Sequence, residues 1–177
     1  MPTQLKLAEL ISEEQLQAKV KEIGKNLSNK YQDEDLVAIC ILKGSFMFYA
    51  DLIREIDTDL ESEFFGVSSY QNSSRSSGEV RLTLDLNHPL EGKHVLLVED
   101  IVDTGLTMNY LQKTLQARKP KSLTIATLLM KPSCLKVECQ VDYVGFEIPD
   151  EFVVGYGLDY QGYFRNIPYI AQVQGLI

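Results

Sequence analysis

The hydrophobic positions of the chain follow two rhythms. Leu16, Val20, Ile23 and Leu27 recur at spacings of four, three and four residues, which lines them up on one face of a helix. Ser12-Glu-Glu-Gln15 stands just before them and reads as a capping box, with Ile11 and Leu16 placed as a hydrophobic staple. Phe46 to Ile56 carries Phe48, Leu52, Ile53 and Ile56 on one side of a second helix. Leu106 to Arg118 presents Tyr110, Leu111 and Leu115 inward before Pro120 stops it. The other rhythm is continuous. Leu36 to Leu42 and His94 to Val98 are apolar runs short enough to be strands buried on both faces. Ser62–Val67, Leu123–Met130 and Val141–Phe146 are further strand candidates, with shorter ones at Phe152–Val154 and Tyr169–Val173. Val80, Leu82, Leu84 and Leu86 alternate with polar residues and predict a strand with one wet face, followed by turn chemistry over Asn87–Gly92.

Buried strands that alternate with helices require crossover connections and hence a parallel sheet. The expectation is an α/β fold, a central and mostly parallel twisted sheet flanked by helices, in one domain over residues 1–177. Ligands of such sheets bind beyond the carboxyl ends of the strands. Chemistry is therefore to be sought just after residues 42, 98 and 130.

Composition narrows the classes. The 17 Lys and Arg against 25 Asp and Glu give a net charge of −8, which argues against a nucleic-acid partner and against an anionic membrane surface. It does not exclude an anionic substrate, because a local site with bound cations can reverse the sign. Cys40, Cys134 and Cys139 form no C-x-x-C pair, and only two His accompany them, so neither a zinc site nor a disulfide scaffold is expected. Cys40, inside an apolar run, reads as a core residue. The N-terminus has no secretory h-region and no window reaches the length of a membrane span. The expected setting is cytoplasmic.

The densest chemical signal is Val95-Leu-Leu-Val-Glu-Asp-Ile-Val-Asp-Thr-Gly-Leu-Thr-Met108. An apolar strand runs into Glu99 and Asp100; Asp103 follows, then Thr104-Gly105-Leu106-Thr107 at a helix start. A helix N-terminus offers unpaired N–H groups and the positive end of a dipole. Thr hydroxyls and a Gly that admits close approach make it a phosphate cradle. Three carboxylates within five residues repel one another unless hydroxyl groups or Mg²⁺ engage them. A bare strand–Asp–helix junction has a plainer reading, in which Asp103 or Thr104 is an N-cap and the acids are solvated.

This segment resembles the phosphoribosyl-pyrophosphate signature of the type I phosphoribosyltransferases. Further motifs narrow the resemblance to the hypoxanthine (hypoxanthine-guanine) phosphoribosyltransferases, the purine-salvage enzymes. Leu42-Lys43-Gly44-Ser45 is similar to the family's pyrophosphate loop, whose Leu42–Lys43 peptide can be cis. The stretch 68–79, with six Ser and the pair Ser69-Tyr70, resembles its flexible catalytic loop. Leu129-Met-Lys-Pro132, Pro149-Asp-Glu-Phe-Val-Val-Gly-Tyr-Gly-Leu-Asp-Tyr160 and Tyr163-Phe-Arg-Asn166 complete the set. The match runs in order from about residue 36 to residue 170.

The resemblance implies a fold with a small hood formed by the termini, a homodimer or homotetramer, and Mg²⁺-dependent transfer of a 5-phosphoribosyl group to a 6-oxopurine. It places the 5′-phosphate on Asp103, Thr104, Gly105, Leu106 and Thr107. Glu99 and Asp100 would hold the ribose hydroxyls and the metal shell, and Asp103 would be the general acid/base at purine N7. Lys43, Gly44 and Arg165 would meet the pyrophosphate. In the purine segment Lys131 would donate to O6, Phe152 would stack, the Val153 backbone would meet the base edge, and Asp159 would hold Mg²⁺. A Lys offers donors only, which suits the acceptor O6 of hypoxanthine or guanine and not the 6-amino group of adenine. Taken singly, Lys43 also reads as a solvated turn residue, Lys131 as a Lys at a strand end, Phe152 and Val153 as core, and Asp159 as a turn former. Ser133-Cys134-Leu135 departs from the basic residues expected after Lys131-Pro132, and Gln71 stands where many relatives have Gly. An RNA-binding regulator on the same fold, a phospho-acceptor receiver domain, and the same transfer to xanthine are the competing readings.

Overall fold

The computed structural model describes residues 5–69 and 80–175. Thirteen elements follow in chain order. They are β1 (Lys6–Ile11), α1 (Glu13–Lys30), β2 (Leu36–Leu42), α2 (Phe46–Arg54), β3 (Leu60–Ser69), β4 (Val80–Leu84), β5 (His94–Val102), α3 (Leu106–Gln116), β6 (Ser122–Met130), a short 3-10 turn (Pro132–Cys134), β7 (Tyr143–Glu147), β8 (Val153–Val154) and β9 (Ile170–Gln174). The main sheet has six strands in the order β4-β3-β2-β5-β6-β7. Every pairing from β3 to β7 is parallel, and β4 closes one edge antiparallel.

The unbroken apolar runs follow from burial on two faces. Ala38 and Cys40 of β2, with Leu96 and Val98 of β5, pack under α1 and α2. Their neighbours Val37, Ile39, Val95 and Leu97 face the other way and pack under Met108, Leu111 and Leu115 of α3. A strand with no wet face has no polar position to alternate with. The expected capping box is present, with Ser12 Oγ accepting from Gln15 N and Gln15 Oε1 accepting from Ser12 N.

The second helix buries Tyr49 as well as Phe48 and Leu52, whereas the apolar spacing points to Ile53. The Tyr49 hydroxyl donates to Ala38 O at 3.0 Å and lies 2.6 Å from Ser62 Oγ, so its polar tip is satisfied inside the core. Leu84 is exposed, unlike the alternation's expectation, because it lies opposite Gly66, which has no side chain to cover it.

The hood is a second, three-stranded antiparallel sheet in the order β1-β9-β8. It joins the two ends of the described chain, with Lys6 opposite Gln174, and stacks Val154, Ala171 and Val173. Tyr156 Oη donates to Asp51 Oδ2 at 2.5 Å, and Gln17 Nε2 donates to the same oxygen at 3.1 Å. That network ties the segment after β8 to α1 and α2 and so fixes the hood over the carboxyl ends of the strands.

Candidate active site

A cavity of about 360 Å³ opens at the carboxyl ends of β2 and β5, lined by residues 41–44, Val67, residues 99–105, Thr107 and Met108. Lining residues 99–102 belong to β5, which extends four residues beyond the apolar core His94–Val98, so Glu99 and Asp100 are strand residues rather than loop residues. Their backbones are adjacent, and their carboxyl groups come within hydrogen-bond reach of each other.

Glu99 is only 9% exposed, and its Oε2 has no hydrogen-bond partner among the described residues. Burial, then the charge of Asp100 and a hydrogen bond with it, push the Glu99 carboxyl well above the usual range. Burial likewise raises Asp100 to about 6, although the Ile101 N–H donating to Asp100 Oδ1 at 2.8 Å and the charge of Arg165 pull it back. Two acids held this close, with one carboxylate oxygen left without a partner among the described residues, are costly unless a ligand supplies donors or positive charge.

The pyrophosphate-loop residues stand against this pair. Lys43 is exposed on the cavity wall, and the Leu42–Lys43 peptide is cis. A Cβ at Gly44 would overlap Asp100 Oδ2, so only Gly lets the turn lie on that carboxylate. Gly157, at φ 104°, presses on the Gly44 carbonyl with no room for a side chain. Arg165 Nη1 donates to Gly157 O at 2.5 Å, and its Nη2 reaches Asp159 Oδ1 at 2.5 Å. The Gly162 N–H takes Asp159 Oδ2 at 2.6 Å. Both Asp159 oxygens are thus engaged, and Asp159 is presented as the partner of Arg165 rather than as a bare ligand.

At the start of α3 the N-cap is neither Asp103 nor Thr104 but Gly105, left-handed at φ 78° and without any side-chain cap. The plainer N-cap reading therefore fails, and the first-turn N–H groups have no capping side chain. Leu135 and Val137 back the cradle, with Val137 Cγ2 and O 3.2 Å from where a Gly105 Cβ would lie. Lys136 N donates to Thr104 O at 3.0 Å. The departing segment after Lys131 thus braces the cradle from behind.

Lys131 is 7% exposed at the end of β6, with Nζ 3.3 Å from Asp150 Oδ1 and 3.8 Å from Asp103 Oδ2. Lys131 N donates to Val102 O at 2.9 Å, which fixes the Lys beside the β5 loop. Phe152 is 45% exposed and stands edge-on to Tyr160 at 5.8 Å. It is not the core residue that its neighbours suggest, whereas Val153 is buried in β8. Ser69 closes β3, and Tyr70 with the rest of the expected mobile loop, Gln71 included, lies outside the described residues.

Glu99 and Asp100 fit a hard cation, since hard oxygen donors and one orphaned carboxylate oxygen are what Mg²⁺ uses. Among the described residues no three His, Cys, Asp or Glu side chains form a closed cage. Mg²⁺ is commonly held by one or two carboxylates together with substrate phosphates and water, and the arrangement agrees with that mode. Asp150 and Gly157 are the site residues that composition and spacing did not single out.

Residues 8–161 match the family described as phosphoribosyl transferase domain. The chain is 55% identical over 162 residues to the hypoxanthine-guanine phosphoribosyltransferase of Bacillus subtilis, covering 92% of this chain and 90% of that one. The crystal structure of a hypoxanthine phosphoribosyltransferase from Staphylococcus aureus superposes with a TM-score of 0.91 at 48% identity, over 97% of this chain and 93% of that one. The hypoxanthine phosphoribosyltransferase of Trypanosoma cruzi, solved with its product IMP, superposes at 0.87 with 42% identity, over 96% and 95% of the two chains.

Proposed function

The chain belongs to the hypoxanthine-guanine phosphoribosyltransferases, and from that premise we propose how its own residues perform the family's reaction. It is a purine-salvage enzyme that transfers the 5-phosphoribosyl group from phosphoribosyl pyrophosphate to hypoxanthine or guanine, forming IMP or GMP and releasing pyrophosphate. The observation that carries the division of roles is the Glu99–Asp100 pair, buried, crowded and short of a partner in the cavity beside the start of α3.

The 5′-phosphate sits on residues 103–107, where free N–H groups and the dipole of α3 meet it. Glu99 and Asp100 take the ribose 2′- and 3′-hydroxyls as acceptors, and their negative charge favours the cationic sugar that develops as the bond to pyrophosphate breaks. Lys43 and Arg165 neutralise the leaving pyrophosphate. Glu99 and Asp100, with Asp159, would hold Mg²⁺, which would supply further charge neutralisation for the pyrophosphate. Asp103 exchanges the proton at purine N7, a step worth about 10²–10⁴-fold. Lys131 donates to O6, Phe152 covers the face of the base, and the Val153 backbone meets its edge. Ser69 and Tyr70 serve to exclude water from the reacting centre.

A homodimer or homotetramer working in the cytoplasm completes the proposal, and the three unpaired cysteines suit a reducing compartment. No helix among the described residues is long and apolar enough to cross a membrane.

The test offers hypoxanthine, guanine, xanthine and adenine separately, each with phosphoribosyl pyrophosphate and Mg²⁺. Rapid nucleotide formation from hypoxanthine and guanine, with adenine inert, is the expected result. Equal turnover of adenine would remove Lys131 from its role, and folded protein inert towards all four bases would overturn the catalytic assignment.

A further inference from the structure

We propose that Asp150 is a positioning residue for Lys131, holding its ammonium where the base is read; the inference rests on Lys131 being the base-reading donor. Lys131 brings a cation into a buried position, and a buried ammonium needs partners. It has three N–H donors. Asp150 is the nearer carboxylate at 3.3 Å and Asp103 the farther at 3.8 Å. Only the Asp150 contact is within hydrogen-bond distance, so two donors remain, and one of them can meet an incoming acceptor.

The two carboxylates come from different strand ends. Asp103 follows β5 and Asp150 follows β7, while Lys131 follows β6 between them. Asp150 is held by local bonds. Ile148 N donates to Met130 O at 2.9 Å, fixing the segment after β7 to the end of β6, and Glu151 N donates to Pro149 O at 2.8 Å across Asp150. Cys134 N donates to Lys131 O at 3.0 Å, closing the 3-10 turn that brings the Cys134 thiol against Asp150. That thiol, and then Lys131, hold the Asp150 carboxyl below its ordinary range.

The consequence is directional. With Asp150 neutral, the carboxylate left beside Lys131 among the described residues is Asp103. The ammonium then closes on Asp103, withdraws from the base and engages the group assigned to proton exchange. Asp150 thus keeps the base-reading cation and the proton-transfer carboxylate apart.

The experiment is a double-mutant cycle on the full-length enzyme, reading KM for hypoxanthine and for phosphoribosyl pyrophosphate in Asp150→Asn, Lys131→Gln and the double variant, with Asp150→Glu as the conservative rescue. The Asp150 side chain is three-quarters exposed, and Asn is isosteric, so the fold is not at stake. Asp150→Asn is expected to raise the hypoxanthine KM about tenfold, the size of a lost charge-assisted hydrogen bond, with the phosphoribosyl pyrophosphate KM nearly unchanged. Asp150→Glu should recover most of that loss, and Asp150→Asn should add nothing in the Lys131→Gln background. An unchanged hypoxanthine KM in Asp150→Asn beside an impaired Lys131→Gln, or an equal Asp150→Asn effect in both backgrounds, overturns this inference alone. A silent Lys131→Gln overturns the base-reading assignment and this inference with it.

Discussion

The two ends of the same six-stranded sheet treat charge in opposite ways. At the amino ends of the strands, Glu34 accepts from Lys121 at 2.9 Å and lies 3.1 Å from His94 Nε2, while His94 Nδ1 lies 2.6 Å from Ser122 Oγ. Lys30 Nζ donates to Thr124 Oγ1 at 2.7 Å and lies over the rings of Tyr31 and Tyr143. At the carboxyl ends, Glu99 and Asp100 crowd one another. Each end leaves one buried side-chain oxygen without a partner among the described residues, Tyr31 Oη at one and Glu99 Oε2 at the other. A lone hydroxyl costs about 1–3 kcal/mol, and a neutral phenol imposes no repulsion on its neighbours. A lone carboxylate beside a second carboxylate keeps its charge only at a larger cost. Satisfied charge marks the end that supports the fold, and unsatisfied charge marks the end that waits for a ligand.

The largest expected effect is at the carboxyl end. Asp103→Asn should cut turnover by about 10²–10⁴-fold while IMP binding changes little, as read by steady-state kinetics beside calorimetric titration. Turnover equal to the parent's would exclude Asp103 from proton exchange.

Next in size is Gly44→Ala. Its Cβ would overlap Asp100 Oδ2, so the turn or the carboxylate must move by the order of an ångström. A displacement of that size can cost about 10²-fold in rate. Kinetics indistinguishable from the parent would show that the contact is not needed for catalysis.

The smallest effect belongs to the amino end. His94→Ala removes the bond to Ser122 and the edge-on contact with Tyr31 at 5.6 Å. It should cost about 1–3 kcal/mol of stability, read by urea denaturation, and leave the kinetic constants of the folded enzyme alone. A fall in turnover with unchanged stability would reverse the assignment of the two ends.

The sequence made much of this legible, and its failures have physical causes. The 4-3-4 spacing of α1, the buried runs of β2 and β5 and the acid-rich end of β5 depend on local patterns, and local patterns can be read. The first strand escaped because Lys6–Ile11 is short and half-polar and pairs only with β9, at the far end of the chain. Gly157 looked like one Gly among several until its backbone met Gly44, 113 residues away. Asp150 sat inside a motif read for its neighbours; only the adjacency of β6 and β7 shows that it faces Lys131. The metal-ligand role of Asp159 comes from the resemblance, and its pairing with Arg165 is visible only once the 157–165 turn is folded.

The most direct test is the thermal stability of ligand-free Asp100→Asn against the parent, followed from pH 4 to pH 8 alongside turnover. In the parent the Asp100 carboxyl is raised by burial to about 6 from an ordinary 3.8. The folded state therefore binds more protons than the unfolded state between those values, and the contribution of Asp100 is fully present below the lower one and lost as pH rises through the upper one. Asn cannot ionise and keeps an oxygen for the Ile101 N–H. The variant should therefore melt higher than the parent at pH 8, lose that advantage towards pH 4, and turn over much more slowly at every pH. A variant that melts lower than the parent at pH 8, or that keeps full turnover, would contradict the claim that the carboxyl ends of the strands hold their charge against stability and for the substrate.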